Sequence, residues 1–289
     1  MYISVIPLRH SLSKYPYIYF APEIWHDALG IGHLIEIPIG KHIVEWIVAK
    51  IDISPSETID PSDIKSIIRV IASIEIIAPY MISMIEEIAD RYFLLIHKVA
   101  SMFLPAPLLT RLDKKNYIFE SPPLREYPSE KIQGNTTEIH HYVDSIFQKE
   151  DIHAYIKPRT AFIFPDDILL SLFAEKREVY TDEDIALLPT DLTPARRVAA
   201  WIDSYSGKYS IIFWTRRLLY YNLSQYENII YIEDAFCTEQ YTYPIKIQNL
   251  DILKALDHAG KHTITLVSST PSLMTLSYFQ KSKIIPYRK

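Results

Sequence analysis

The sequence predicts an α/β chain in two parts: a small β-rich N-terminal domain with helices, then a parallel sheet with helices on both faces. Three observations predict it. Near the start, two β-prone runs, Leu34–Ile39 and Ile43–Val48, flank a Gly40-Lys41-His42 turn, the pattern of a hairpin. In the second half, short apolar runs alternate with helical segments, which is how a sheet of parallel strands and crossover helices is written in sequence. Between the two lies a stretch from 105 to 130 that holds Pro105, Pro107, Pro122, Pro123 and Pro128 among many charges, and such a composition makes a linker.

The elements follow in order. Residues 1–22 contribute Tyr2–Ile6 and Tyr17–Phe20 as β-prone stretches. Pro38 inside the first hairpin strand predicts an edge position or a bulge, because proline has no N–H to give to a ladder. From Pro79 the apolar residues fall at Met81, Met84, Ile85, Ile88 and Tyr92, one face of a helix, with the proline in its first turn. A second helical stretch from Ile96 to Leu104 closes a domain of residues 1–108. After the 109–130 linker, residues 131–289 form the second domain. Its expected strands are Thr160–Phe164, Ile185–Leu188, Ser210–Phe213, Ile229–Ile232 and Thr263–Val267. Its expected helices are Thr137–Phe147, Pro194–Asp203 and Asn249–Ala259.

Composition bounds the function. The 289 residues are 48% hydrophobic and 22% charged, enough apolar material for real cores. A net charge of −5 argues against a broad basic surface for coating nucleic acid, though not against a local basic patch. The single cysteine, Cys237, excludes an internal disulfide and a cysteine-based zinc knuckle, and fits a reducing compartment. No 18-residue apolar run and no leader pattern is present, so a cytoplasmic protein with no membrane partner is expected.

The run Ile229-Ile230-Tyr231-Ile232-Glu233-Asp234 delivers two carboxylates at the end of an apolar strand, where nucleoside-triphosphatases hold Mg²⁺. A working phosphate loop also needs closely spaced glycines, a lysine and a Ser/Thr. The chain has six glycines, and the three that precede lysine are followed by His42, Tyr209 and His262. No such loop exists. Nor is there a G-x-S-x-G elbow or an H-E-x-x-H helix. His140 and His141 are adjacent on an expected helix and so face different ways. Cys237 reads as a packing residue, and the pairs Arg196-Arg197 and Arg216-Arg217 as solvated. No catalytic residue and no metal site is expected.

Several segments, in order, resemble the PriA (primosomal protein N′) family of replication-restart helicases. Tyr17-Ile18-Tyr19-Phe20-Ala21-Pro22 stands where the family has Phe-Asp-Tyr, and Gly32 to Lys41 follows its G-x-R-V-x-V-P-F-G-K/R. Asp63-Ile64-Lys65 matches an L-K step, and Ala89 to Phe93 an A-x-Y-Y helix. Further on, Phe164-Pro165-Asp166-Asp167-Ile168 resembles V-P-E-I, Trp214-Thr215-Arg216-Arg217 resembles G-T-R-S, Glu233-Asp234-Ala235-Phe236 stands at D-E-E-H, and Ser268 to Ser272 at S-A-T-P-S. The resemblance implies a 3′ DNA-binding domain followed by a RecA-like helicase lobe of the phosphate-loop NTPase type whose phosphate loop is lost. Ile132 to Glu138 occupies the loop's place without its lysine.

From the resemblance, the DNA-binding residues would be Tyr17, Tyr19, Gly40, Lys41 and Lys65. Tyr17 and Tyr19 could equally be ordinary strand residues. A vestigial nucleotide and Mg²⁺ site would comprise Gly134, Thr136, Thr137, Glu233 and Asp234, and Thr215, Arg216, Ser269 and Thr270 would be motif remnants. With the winged-helix segment reduced to the linker and no second lobe or zinc insertion, neither hydrolysis nor translocation is expected. The implied partners are single-stranded or forked DNA and replication-restart or single-strand-binding proteins, with no cofactor. Two other readings stay open: an ATP-dependent 3′–5′ helicase fragment that binds ATP and Mg²⁺, and a non-catalytic interaction scaffold, which Ile18 (an acid in the family) and the negative charge favour.

Overall fold

The computed structural model describes residues 1–8, 16–55, 60–72, 75–105, 108, 137–141, 156–175, 184–188, 191–233, 247–259, 262–268, 272–278 and 283–286. It divides into two compact units, Met1–Pro122 and Pro123–Lys289, a boundary that falls inside the proline-rich stretch.

The first unit is built on an antiparallel five-stranded sheet. Its strands are β1 (Tyr2–Pro7), β2 (Tyr17–Phe20), β3 (Leu34–Ile39), β4 (His42–Lys50) and β5 (Arg69–Ala72), in the order β2-β1-β4-β3-β5. The β3–β4 hairpin turns on two residues, not three. Ile39 pairs directly with His42, leaving Gly40 and Lys41 as the loop. Gly40 has φ +56° and Lys41 does not share the positive φ, the signature of a type II′ turn, which matches the strand twist. At Pro38 the expected edge is found: β5 pairs only with Leu34–Glu36, so β3 has β4 alone beside its proline.

The two outer strands are brought together by the residues before β5. Phe20 N–H donates to Lys65 C=O at 2.9 Å, Ile67 N–H donates to Phe20 C=O at 2.9 Å, and Ile68 N–H donates to Glu36 C=O at 2.8 Å. The sheet therefore curls until β2 is covered rather than left as a bare edge. A bidentate pair, Arg69 Nε to Glu36 Oε2 at 2.7 Å and Arg69 Nη2 to Glu36 Oε1 at 2.8 Å, clamps β5 to β3. Inside lie Ile3, Val5, Tyr19, Ile35, Ile37, Trp46 and Val48, all buried. Helix α1 (Pro79–Arg91) buries the predicted Met81, Met84, Ile85 and Ile88, and Tyr92 caps it from outside. The stretch expected as one helix to Leu104 is a short α2 (Ile96–Ala100) followed by a 3₁₀ turn, Ser101–Phe103.

In the second unit the seven strands are β6 (Thr137–His141), β7 (Thr160–Phe164), β8 (Ile185–Leu187), β9 (Ile211–Thr215), β10 (Asn228–Glu233), β11 (Thr263–Ser268) and β12 (Lys283–Pro286). They run in the order β12-β6-β11-β10-β7-β9-β8, and every pairing is parallel. Helices α3 (Asp167–Glu175), α4 (Pro194–Ser206), α5 (Asn249–His258) and α6 (Leu273–Tyr278) lie along the crossovers. This is the α/β architecture of a RecA-like lobe, as expected. Strands buried on both faces read as near-continuous apolar runs, which is why β7, β9, β10 and β11 were visible in the sequence. Helix α4 runs to Ser206 rather than Asp203: Thr193 Oγ1 caps its start at 3.4 Å from Arg196 N, and Gly207, at φ +67°, ends it.

One expected helix is wrong. The sequence predicts a helix over Thr137–Phe147, but Thr137–His141 is strand β6, hydrogen-bonded to β11 on one side and β12 on the other. His140 and His141 therefore sit on a strand. The remainder of that expected helix lies outside the described residues.

Candidate nucleic-acid interface

The expected DNA-binding residues come from three places in the first unit: strand β2, the β3–β4 turn and the segment before β5. Strand β2 carries Tyr17 and Tyr19 on one face, and both rings meet Trp46 of β4 edge-on, with centroids 4.9 and 6.3 Å away. The Tyr19 hydroxyl donates to Pro38 C=O at 3.1 Å, tying β2 to the strand that leads into the Gly40–Lys41 turn. Lys65 joins the same strand through its carbonyl, bonded to Phe20 N–H.

Their chemistry differs. Tyr17 is 38% exposed and presents an aromatic ring braced from behind by Trp46, a usable stacking surface for a base. Tyr19 is not usable in that way. It is only 7% exposed, its hydroxyl is engaged, and burial pushes its pKa up, so it is a core residue that positions the turn. The strand alternative fits Tyr19, while Tyr17 is a strand residue whose ring is partly exposed. Lys41 and Lys65 are exposed and neither makes an ion pair among the described residues, so both charges are available to phosphate. A side chain at Gly40 would meet nothing within 4 Å, so the backbone at the turn tip is open to close approach. Ile18 is half-buried and, being aliphatic, offers no acceptor to a terminal hydroxyl. Trp46 was missed at the sequence level; its signal was the alternation of β4, which puts one large ring on the core face.

In the second unit the sheet sorts the remaining residues by end. Glu233 is the last residue of β10 and pairs with Ser268, which in turn pairs with His141, so this row marks the carboxyl edge. Thr215 ends β9 at the same edge, opposite Phe164. Thr137 pairs with Ile264 at the other end of the sheet, four residues before His141, or about 13 Å at the usual rise per residue. Thr137 and Glu233 are therefore not brought together. Gly134, Thr136, Asp234, Ser269 and Thr270 lie outside the described residues.

Arg216 is not a free phosphate ligand either: its Nη1 donates to Pro165 C=O at 3.1 Å, joining the ends of β9 and β7. The hydroxyls of Thr215 and Ser268 are buried and accept or donate no hydrogen bond among the described residues. No group of three or more His, Cys, Asp or Glu suited to a metal occurs among the described residues, and no helix there is long and apolar enough to cross a membrane.

Comparison with known proteins finds a family match within the first unit. Residues 5–105 match the model of the PriA 3′ DNA-binding domain family, described as the 3'DNA-binding domain (3'BD). No curated protein matches the chain. The match begins within β1 and ends just after the 3₁₀ turn that follows α2. DNA is the partner such a domain implies.

Proposed function

We propose that this chain, which carries the 3′ DNA-binding domain of the PriA family over residues 5–105, binds single-stranded or forked DNA in replication restart and does so without hydrolysing ATP. The observation that carries the reading is the exposed Tyr17 of β2, braced by Trp46, in a domain that also exposes the open Gly40–Lys41 turn and Lys65, whose carbonyl bonds to β2. A base stacks on Tyr17 while the two lysines take phosphates, a combination that tolerates any base sequence. With only these few cations and a net charge of −5, the affinity is modest and falls with salt.

The second unit is read as a RecA-like lobe that has lost its phosphate loop. What supports this is the glycine count of the sequence, with no G-x-x-x-x-G-K-[ST] anywhere, together with the engagement of Arg216 by backbone. Its role would be to hold replication-restart or single-strand-binding proteins near the bound DNA. A second reading, an interaction scaffold that no longer holds DNA, is favoured by Ile18 and by the burial of Tyr19.

Fluorescence anisotropy with a labelled fork carrying a free 3′ end tests the proposal. Binding that Tyr17→Ala and Lys65→Ala each weaken about tenfold, and that ATP does not change, is the expected result. Absence of binding at low salt would favour the scaffold, and an ATP-dependent change would overturn the reading of the second unit.

A further inference from the structure

Phe93 is placed where a protein gains nothing in stability from having it. It follows α1 as the residue that turns the chain out of the helix, with φ +52°, a left-handed conformation that glycine or asparagine adopts with less strain. The turn itself is well made: Phe93 N–H donates to Asp90 C=O at 3.1 Å and Leu94 N–H to Ala89 C=O at 2.9 Å. Yet the ring it carries is 82% exposed to water. A strained backbone that presents an unburied aromatic points to use at a surface rather than to packing.

Beside it is an open cavity of about 420 Å³, lined by Pro16, Glu86, Asp90, Phe93, Leu94 and Ile96. Its character is apolar with an acidic rim. Among the described residues Asp90 makes no ion pair and Glu86 meets the distant Lys50 at 3.8 Å. Arg91, the nearest cation in sequence, is committed to Glu87 at 2.8 Å. Both rim carboxylates stand in the last two turns of α1, so the negative end of the helix adds to their field. Phosphate is repelled from such a place, which separates it in function from the lysine-bearing DNA face. A lysine or arginine is attracted.

We propose that the groove between Phe93 and Pro16 docks a segment of a partner protein that carries an apolar anchor side chain next to a lysine or arginine. The anchor packs on Phe93, Leu94 and Ile96 and the cation meets Asp90 and Glu86. Because Pro16 directly precedes Tyr17, such a partner would be held next to the strand proposed to bind DNA.

Fluorescence polarisation on the full chain tests this with three labelled decapeptides that share a Leu-Trp-Leu core flanked by arginines, glutamines or glutamates. The arginine peptide is expected to bind at least about tenfold more tightly than the glutamate peptide, and Asp90→Lys to remove that preference. Phe93→Gly is expected to weaken the arginine peptide by about tenfold or more while the thermal midpoint holds or rises, since glycine relieves the left-handed strain. DNA affinity should be the same in Phe93→Gly as in the parent, so this proposal and the DNA reading fail separately. Equal binding of all three peptides, undiminished binding to Phe93→Gly, or no binding of any peptide up to roughly 1 mM would each overturn it.

Discussion

Replacing Gly32 by alanine should unfold the first unit, and the structure says why. Gly32 is buried at φ +82°, and a Cβ built there lies 1.8 Å from the carbonyl oxygen of Ile77. That collision is with backbone, so no rotamer relieves it. The same residue is a junction: its N–H donates to Val48 C=O at 2.8 Å and its C=O accepts from Ile76 and Ile77 N–H at 3.0 and 3.3 Å. It therefore ties β4 to the chain that enters α1. The left-handed backbone alone costs an L-residue about 1–2 kcal/mol. Relieving the contact requires the Ile77 segment to move by more than an ångström, which leaves one or two buried backbone groups unpaired at about 1–3 kcal/mol each. The sum, about 2–8 kcal/mol, is comparable with the whole stability of a small domain.

Gly40→Ala supplies the control. Its φ of +56° is also left-handed, but nothing lies within 4 Å of the added Cβ, so only the conformational term of about 1–2 kcal/mol applies. Hydrogen exchange read by mass spectrometry is the suitable assay, because peptides from β3 and β4 report the first unit apart from β9 and β10 in the second. Gly32→Ala should lose nearly all protection in the first unit and keep it in the second, whereas Gly40→Ala should keep most of both. Equal protection in the two variants would refute the argument from the Ile77 contact.

Two further outcomes follow from buried polar groups. Burial lowers the His33 pKa below its ordinary value of 6.5, against weaker opposing effects of the Ala28 carbonyl and Glu75. The unfolded chain then takes up the proton first, so this contribution is present above the unfolded pKa and is lost as pH falls through the folded value. Urea midpoints measured from about pH 7.5 to about pH 5 should fall more steeply for the parent than for His33→Gln, and parallel slopes would contradict the assignment. Thr215 is 1% exposed with its hydroxyl unpaired among the described residues, so Thr215→Val should leave thermal stability unchanged or raise it by about 1 kcal/mol. A loss of stability in the melting curve would mean that the hydroxyl has a partner.

How much of this was legible depended on the length scale of the signal. The hairpin was readable because a glycine between two β-prone runs is a local signal, and α1 because Pro79 and the Met81–Met84–Ile85–Ile88 spacing are local too. Strand β6 was not. Its sequence, Thr137-Glu138-Ile139-His140-His141, has one aliphatic residue, and it is a strand because β11 and β12 pair with it from both sides, a tertiary cause that overrides propensity. The error carried into the site, since it hid the fact that Thr137 and Glu233 lie at opposite ends of the sheet. Strand alternation gave Tyr17 and Tyr19 a common face but not their different depths. Those depend on Pro38 and Trp46 reaching them from other strands.

The central claim is that a small set of lysines on the first unit contacts DNA phosphate, and its most direct test is the salt dependence of binding. Affinity of the full chain for a labelled single strand should be measured across a series of salt concentrations, for the parent and for Lys65→Ala. The account predicts a linear fall of log affinity with log salt concentration, with a slope smaller by about one in Lys65→Ala. Identical slopes for the two proteins, or no binding even at the lowest salt, would contradict it.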